Sequence, residues 1–530
     1  MRMIPGSDCP HLIDMEVPQV YGRFKVQLLS IHGYRRPWFA PALLACLTAL
    51  LLLTNPWFGL IDDEAYQVGS AAQSLSIVAT QFEGDAAQLH PPLPDVLLHT
   101  WLILSGNSLS LLRIPSILFF GLGIWTCSCA AKKVAGPAAA SATIILGGLW
   151  PYGFHFGRYA VWLPFCFFLL ACATWTYLHW LEQPTPARLF WFVMTALALL
   201  YTNYMGWAFL AVLSLDFLFR REAHSQASWS QLAIAGVVLV AGYAPVWPQC
   251  LQLLKDHPPA ISSTILFAFL YSLYVLVVSE SIAPWVLALS VPLMLCLVVG
   301  GLVILLQAAR FARLLYASLL VLALGLALSG EINQKRVMPL GAWLLISAGI
   351  ALATALSRWR RTLMFGLIVI AVVSWFGIAS RRFYSTPRLF EPWPQIAQTA
   401  ASAVLSHEVV IGSHPAFLLY LTRDLMKAEG VSASHFHGNY GEQVPRSGVF
   451  HVADWIAAGH PTAPRVLFVA ALYGTDYDST MEAAAWLDRH CARADTERFV
   501  KNPGYELKSK LFGPSQASPW RIEVSRFVCR

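Results

Sequence analysis

The chain has 530 residues, of which 57% are hydrophobic and only 12% charged, with a formal net charge of +7. Soluble domains carry about 25% charged residues, so this balance excludes a soluble globular enzyme and predicts a polytopic α-helical membrane protein. The bases sit in short clusters between apolar runs, which excludes a nucleic-acid surface and marks loop orientation instead. Residues 1–38 are mixed and polar and end in a basic patch (Arg23, Lys25, Arg35, Arg36), which predicts a cytoplasmic N-terminal segment. The apolar run Pro41 to Leu60 is long enough to cross a bilayer. No Ala-x-Ala-like cleavage site follows it, so it reads as a retained anchor. Three consecutive carboxylates come next, Asp62, Asp63 and Glu64. Acids are costly in hydrocarbon, so they should lie at the membrane surface, where the chain leaves the lipid. Residues 65–82 mix apolar and Gln/Ser positions at helical spacing and predict an amphipathic helix lying in the interface. His90-Pro91-Pro92 then breaks that helix and turns the chain back toward the membrane.

The run 94–105 is too short to cross unaided. Apolar stretches follow near 109–131, 134–153, 159–180, 188–202, 203–219 and 231–248, with a hairpin expected around Tyr201-Thr202-Asn203-Tyr204. A mixed segment, 249–283, holds a second short run at 263–279. Four more spans are expected near 285–307, 311–329, 337–356 and 362–380. If neither short run crosses, about eleven transmembrane helices result. Lys132/Lys133, Arg220/Arg221, Arg310/Arg313 and Arg358/Arg360/Arg361 then all fall in the cytoplasm, as the positive-inside rule asks. Thirteen spans would move the first two pairs outside. In the eleven-span arrangement the acids, His90, Arg158, Tyr201 to Tyr204, Lys335, Arg336 and everything after Ser380 share the extracytoplasmic face.

From about Arg381 the composition changes. Residues 391–405 read as an amphipathic helix, 409–411 and 466–470 as buried strands, and 481–490 as another helix. Further strands are expected at 499–500, 507–512 and 522–528. The expected division is thus a cytoplasmic segment over 1–38, a membrane domain over 39–380 with outer loops 59–108 and 249–284, and an extracytoplasmic α/β domain over 381–530. The ten cysteines show no CxxC and no Cys/His spacing suited to zinc, so no metal ligands are assigned. Only Cys491 and Cys529 lie in the tail, where an oxidising compartment predicts a disulfide between them.

The spans carry almost no acids; Asp216 lies near a span end. Ion-coupled transporters need intramembrane carboxylates, so the chemistry is expected at the surface. An outward-facing membrane enzyme has no supply of nucleotide sugars, but it can use donors whose reactive head is carried by a lipid. Such a site needs a carboxylate to take a proton and cations to hold a departing phosphate. This chain offers both on one face.

At these positions the sequence resembles a family. Asp63-Glu64 after the first span, His90-Pro91-Pro92-Leu93 beyond it, Gly106, and Leu112-Arg113-Ile114-Pro115-Ser116 resemble the N-terminal signature of the GT-C glycosyltransferases. The branch most resembled is glycosyltransferase family 39 with its bacterial relatives, including protein O-mannosyltransferases and the aminoarabinose transferase of lipid A. Phe156-Gly157-Arg158-Tyr159, Leu200-Tyr201-Thr202-Asn203-Tyr204 and Lys335-Arg336-Val337-Met338-Pro339 continue the series. The resemblance implies GT-C architecture, a polyprenyl-phosphate sugar as donor, and transfer at the outer face of a bacterial inner membrane. The acceptor would be a lipid, a glycan or a protein. It also implies catalysis by an acid of the first outer loop, which here means Asp63 and Glu64, with Asp62 as an additional neighbour that leaves the choice of base open. Some relatives bind a divalent metal nearby; Asn203 stands where a His is frequent in them, and nothing in this sequence demands the ion.

Asp63 is the expected general base, placed opposite the leaving phosphate so that a single displacement inverts the anomeric carbon. His90, Arg113, Arg158, Tyr159, Tyr201, Tyr204, Lys335 and Arg336 are the expected substrate-binding residues. Lys335 and Arg336 lie outside against the charge bias, which suits phosphate binding. Plainer roles exist for several of them: Arg113 as a snorkelling base at a span end, Arg158-Tyr159 as an interface anchor, Tyr201 and Tyr204 as an aromatic belt. The alternative of a different class is a multi-span lipid or glycan transporter without glycosyl transfer. A ligase using diphosphate-linked oligosaccharides is a third reading.

Overall fold

The computed structural model describes residues 39–55, 60, 62–72, 75, 91–105, 111–219, 229–256, 265–284, 286–328, 336–380, 392–428, 448–472, 477–499 and 522–529; within them some side chains, those of Asp62 and Asp63 included, fall outside the description. The chain divides into two units, Met1–Phe39 and Ala40–Arg530, and the fold described here is that of the second.

Helix α1 (Phe39–Thr54) is followed by α2 (Asp62–Ala71) and α3 (Leu93–Leu104). The interfacial helix expected over 65–82 starts earlier, because three acids suit the positive end of a helix dipole. Its continuous part ends at Ala71, whose carbonyl, one of the orphans at a helix end, receives His99 Nδ1 of α3 at 2.8 Å.

Helix α4 (Ile114–Leu149) covers two runs that the sequence separates at Lys132-Lys133. Ala135 and Gly136 leave helical geometry, with Gly136 at φ 80°, a value only glycine adopts without strain. A Cβ on Gly147 would lie 2.7 Å from Ile124 Cγ2. In a straight helix those residues would stand about 34 Å apart, so the chain folds back at Gly136 into a hairpin. Then come α5 (Pro151–Phe156), α6 (Trp162–Glu182), α7 (Pro186–Leu200), α8 (Gly206–Phe219), α9 (Trp229–Gly242), α10 (Trp247–Asp256), α11 (Ile265–Val278), α12 (Leu287–Gln307), α13 (Arg310–Leu328), α14 (Gly341–Thr354) and α15 (Ser357–Ser380).

Among the described residues five helices are long and apolar enough to cross a membrane: α4, α6, α12, α13 and the 359–379 part of α15. The pair Trp229–Gly242 and Ala244–Leu251, bent by 45°, makes a sixth. The other apolar helices, α1, α3, α7, α8, α11 and α14, are shorter. Contacts at the helix ends sort them into two faces. At one face Thr54 meets Arg158, Tyr201 meets Gly242, and His155 meets Ser279. At the other, Lys133 pairs with Glu182, Arg188 reaches the His179 carbonyl, and Arg310 reaches that of Phe219.

The tail holds α16 (Trp393–Leu405), β1 (Val409–Gly412), α17 (Pro415–Ala428), β2 (Val449–His451), α18 (Val452–Ala457), β3 (Arg465–Ala471), α19 (Tyr477–His490), β4 (Cys491–Arg498) and β5 (Ile522–Cys529). The sheet order is β2-β1-β3-β5-β4, with β1 parallel to β2 and β3, and β5 antiparallel to β3 and β4. Residues 409–411, 466–470 and 522–528 are strands as expected, and α17, β2, α18 and β4 are additions to the expectation. Phe499 bonds to Ile522 but lies outside the strands; residues 500 and 507–512 lie outside the described residues. Cys491 and Cys529 form the expected disulfide, on directly paired strand ends.

Side chains alternate along β3, as the period of a strand requires. Val466, Phe468 and Ala470 face a core with Trp455 and Leu487. Leu467, Val469 and Ala471 face another that runs without interruption through Phe417 and Leu421 of α17 to Leu60, Ala65 and Val68 of the first loop.

Candidate active site

The acids open α2, a helix of only ten residues. Isolated helices of that length are marginal in water, so tertiary contacts must hold it. Glu64 supplies the main polar one. It is fully buried, and Arg113, at the start of α4, donates from Nε to Oε1 at 2.6 Å and from Nη2 to Oε2 at 2.5 Å. The Ala160 amide adds a third donor to Oε1 at 2.8 Å. Planar guanidinium and carboxylate fit each other in this bidentate form.

On the apolar side Ala65, Val68 and Ala71 are buried. Helix α3 is tied alongside through Asp95, also buried, which accepts hydrogen bonds from Gln67 and, at 3.3 Å, from Ser70. The Leu93 amide donates to the Tyr201 carbonyl at 3.1 Å, bringing the turn after α7 beside the start of α3.

Arg158 lies in the turn after α5 and is wholly buried. Nε donates to the Phe154 carbonyl and Nη1 to Thr54 Oγ1, each at 3.1 Å, and the guanidinium sits 4.4 Å from the centre of the Phe154 ring. Burial, and then the neighbouring Arg113 charge, pull its pKa down to about 9. The Arg113 guanidinium lies 5.9 Å from the Tyr159 ring centre. Tyr159 and His155 share a hydrogen bond of 2.7 Å, and His155 Nδ1 lies 3.1 Å from Ser279 Oγ.

Glu64, Arg113, Arg158 and Tyr159 therefore come together. Arg113 and Glu64 are each other's bidentate partners inside the protein, so Arg113 does not snorkel to the interface. Tyr201 and Tyr204 border the same face with Tyr243 and Trp207; Tyr201 donates to the Gly242 carbonyl at 2.8 Å. Arg336 is half-buried just before Met338–Leu340. His90, Lys335 and the side chains of Asp62 and Asp63 lie outside the described residues. Among the described residues no three His, Cys, Asp or Glu side chains gather as a metal ion would need.

Sequence reasoning passed over Asp95, His155, Thr54 and Tyr420. The last comes from α17 of the tail: it packs against the core that α17 shares with the first loop, and it lies near enough to Arg113 and Glu64 to feel both charges. A pairing so distant in sequence leaves no local signal. Asp95 was visible as a lone acid inside an apolar run.

No family model matches the sequence, and no curated protein sequence matches it. Solved structures do match. ArnT from Cupriavidus metallidurans in the apo state superposes with a TM-score of 0.53 at 13% identity, covering 92% of this chain and 97% of its own. The same protein bound to undecaprenyl phosphate gives 0.53 at 13%, covering 92% and 98%. The arabinofuranosyltransferase AftD from Mycobacteria gives 0.47 at 13%, covering 92% of this chain and 40% of its own. The chain has the GT-C membrane fold with a small C-terminal sheet.

Proposed function

We propose that this chain is a polyprenyl-phosphate-dependent membrane glycosyltransferase that moves a single sugar to an extracytoplasmic lipid, glycan or protein. The observation that carries the reading is the anchored acidic helix. A carboxylate stretch is held at one helix-end face of a membrane domain, beside buried cations, in a fold shared over nearly its whole length with ArnT. That protein's structure with undecaprenyl phosphate supports a lipid phosphate as the carrier.

In this mechanism Glu64 is structural, because both its oxygens are engaged. Asp63 is the base. The acceptor hydroxyl oxygen attacks the anomeric carbon while its proton passes to the Asp63 carboxylate. The bond from that carbon to the phosphate oxygen breaks on the opposite side, and its electron pair leaves on the polyprenyl phosphate. The configuration inverts. Arg158, Lys335 and Arg336 stabilise the phosphate as it gains charge. His90, Tyr159, Tyr201 and Tyr204 complete the donor surroundings. The proposal places about eleven helices across the inner membrane, with the N-terminus cytoplasmic and the tail outside.

Purified protein in liposomes, supplied with a radiolabelled polyprenyl-phosphate sugar and extracted membrane acceptors, should form labelled glycoside and release polyprenyl phosphate. Movement of lipid across the bilayer with no new glycosidic bond would favour the transporter instead.

A further inference from the structure

The face opposite the acids carries a second gathering of charge, where the ends of α4, α6 and α7 meet. Glu182 ion-pairs with Lys133 of α4, and the same carboxylate oxygen lies 3.6 Å from Nη1 of Arg188 on α7. Arg188 also donates to the His179 carbonyl at 2.8 Å, and Lys133 Nζ lies 3.4 Å from His179 Nδ1. Lys132 is exposed beside them and enters neither ion pair. Three cations thus flank the end of α6 against one carboxylate, itself more than half exposed, so the corner keeps an excess of positive charge.

The surface next to these cations is apolar. Lys132, Trp125 and Leu118 are spaced seven residues apart, about two helical turns, so they share one face of α4, and Trp125, Leu122 and Leu118 are exposed there. Arg188 and Trp191, three residues apart, share a face of α7, and Phe190, Trp191 and Met194 are exposed around it. On α6 the half-buried positions Cys172, Trp175 and His179 follow helical spacing up to the charged end. Exposed tryptophans beside bases mark the depth at which headgroups give way to acyl chains. The charge bias of loops accounts for bases at this end; it does not require them to converge on one carboxylate above two apolar stripes.

We propose that this corner binds an anionic glycerophospholipid, its phosphate among Lys132, Lys133 and Arg188 and its acyl chains along the stripes of Trp125 and Trp191. Glu182 holds Lys133 and Arg188 toward each other, so the phosphate meets cations already oriented. A free phosphate would satisfy the cations and leave the stripes unused. A zwitterionic lipid would cover the stripes but bring a cation of its own to the corner. None of these residues takes part in the proposed transfer reaction, and the site does not depend on it.

The test is native mass spectrometry of the full-length protein in neutral detergent, titrated with phosphatidylglycerol or with phosphatidylcholine of the same acyl chains. A base near a headgroup is worth about fivefold in binding, so an excess of two charges predicts a preference for phosphatidylglycerol of about 25-fold. Lys132→Gln should cut the preference about fivefold, Lys132→Gln/Arg188→Gln should abolish it, and Lys132→Arg should keep it. Phosphatidylglycerol should also raise the melting temperature of the wild type and leave that of the double variant unchanged. Arg313→Gln, an exposed base of α13 at the same face, should bind both lipids as the wild type does. Equal binding of the two lipids by wild type overturns the proposal. So does a loss in Arg313→Gln equal to that in Lys132→Gln, which would mean diffuse surface charge, or displacement of phosphatidylglycerol by millimolar inorganic phosphate, which would mean a site for the free anion.

Discussion

Glu64 and Arg113 are joined through both oxygens of the carboxylate, wholly inside the protein, at 2.6 and 2.5 Å. Removing one partner of such a pair leaves the other charge buried and uncompensated, at a cost of about 3–5 kcal/mol. Glu64→Gln should therefore lower the unfolding temperature strongly, and the double variant Glu64→Gln/Arg113→Gln should recover part of the loss. Thermal unfolding in detergent measures both. A Glu64→Gln protein as stable as wild type would show that the pair does not hold α2.

Asp63→Asn should behave in the opposite way. General-base catalysis is worth about 10²–10⁴-fold, so turnover should fall by that factor while stability and donor binding stay near wild type. Asp62→Asn should have the least effect of the acid substitutions. A dead Asp62→Asn beside an active Asp63→Asn would move the base by one residue.

The pKa of Arg158, about 9 and so well below the ordinary arginine range, gives two pH effects of opposite direction. The unfolded chain binds the extra proton over that interval, so the contribution to stability is present only above the ordinary arginine range and is lost as pH falls to about 9. Donor phosphate prefers the charged form, so the donor KM should rise as pH climbs past about 9. Arg158→Gln should abolish that rise. A KM that is flat from pH 8 to about 10 in wild type would remove Arg158 from the phosphate site.

Peptide mapping without reductant should recover Cys491 and Cys529 joined, and replacing both with Ser should cost about 2–5 kcal/mol in the tail, read as faster exchange in β4 and β5. Recovery of two free thiols from native membranes would contradict the pairing and the oxidising location together.

An impermeant thiol reagent applied from outside should label a cysteine placed at position 336 and spare one at 133. Lys133 shares its helix end with Glu182 and Arg188, opposite the acid helix. Outside labelling at 133 would replace the eleven-span arrangement with the thirteen-span one.

What the sequence made legible follows from burial. Strands β1 and β3 are buried along nearly their whole length, so they stand out as apolar runs, whereas β5, Ile-Glu-Val-Ser-Arg-Phe-Val-Cys, mixes apolar with polar positions and is exposed at Arg526 and Val528. Strand β4 reads Cys-Ala-Arg-Ala-Asp-Thr-Glu-Arg; it is an exposed sheet edge, where polar residues protect against unwanted pairing, and its composition hides it. The hairpin in α4 showed through Lys132-Lys133, although the turn itself depends on Gly136. Among three adjacent acids the sequence left the choice of base open, since three carboxylates within one helical turn offer the same chemistry. Burial of Glu64 against Arg113 separates one from the other two, and that contact spans two helices.

The apolar core that continues from α17 into the first loop also bears on how freely this tail could be exchanged between proteins. A cut near residue 380 falls in a connecting segment but severs one core into two incomplete halves. The tail alone would show Phe417, Leu421 and Leu425 to water, and the truncated membrane part would show Ala65, Val68 and Leu60. Neither half would be a self-sufficient module. A graft from another member of the fold would have to bring a matching first loop with it, so the two segments are expected to travel through evolution as a pair.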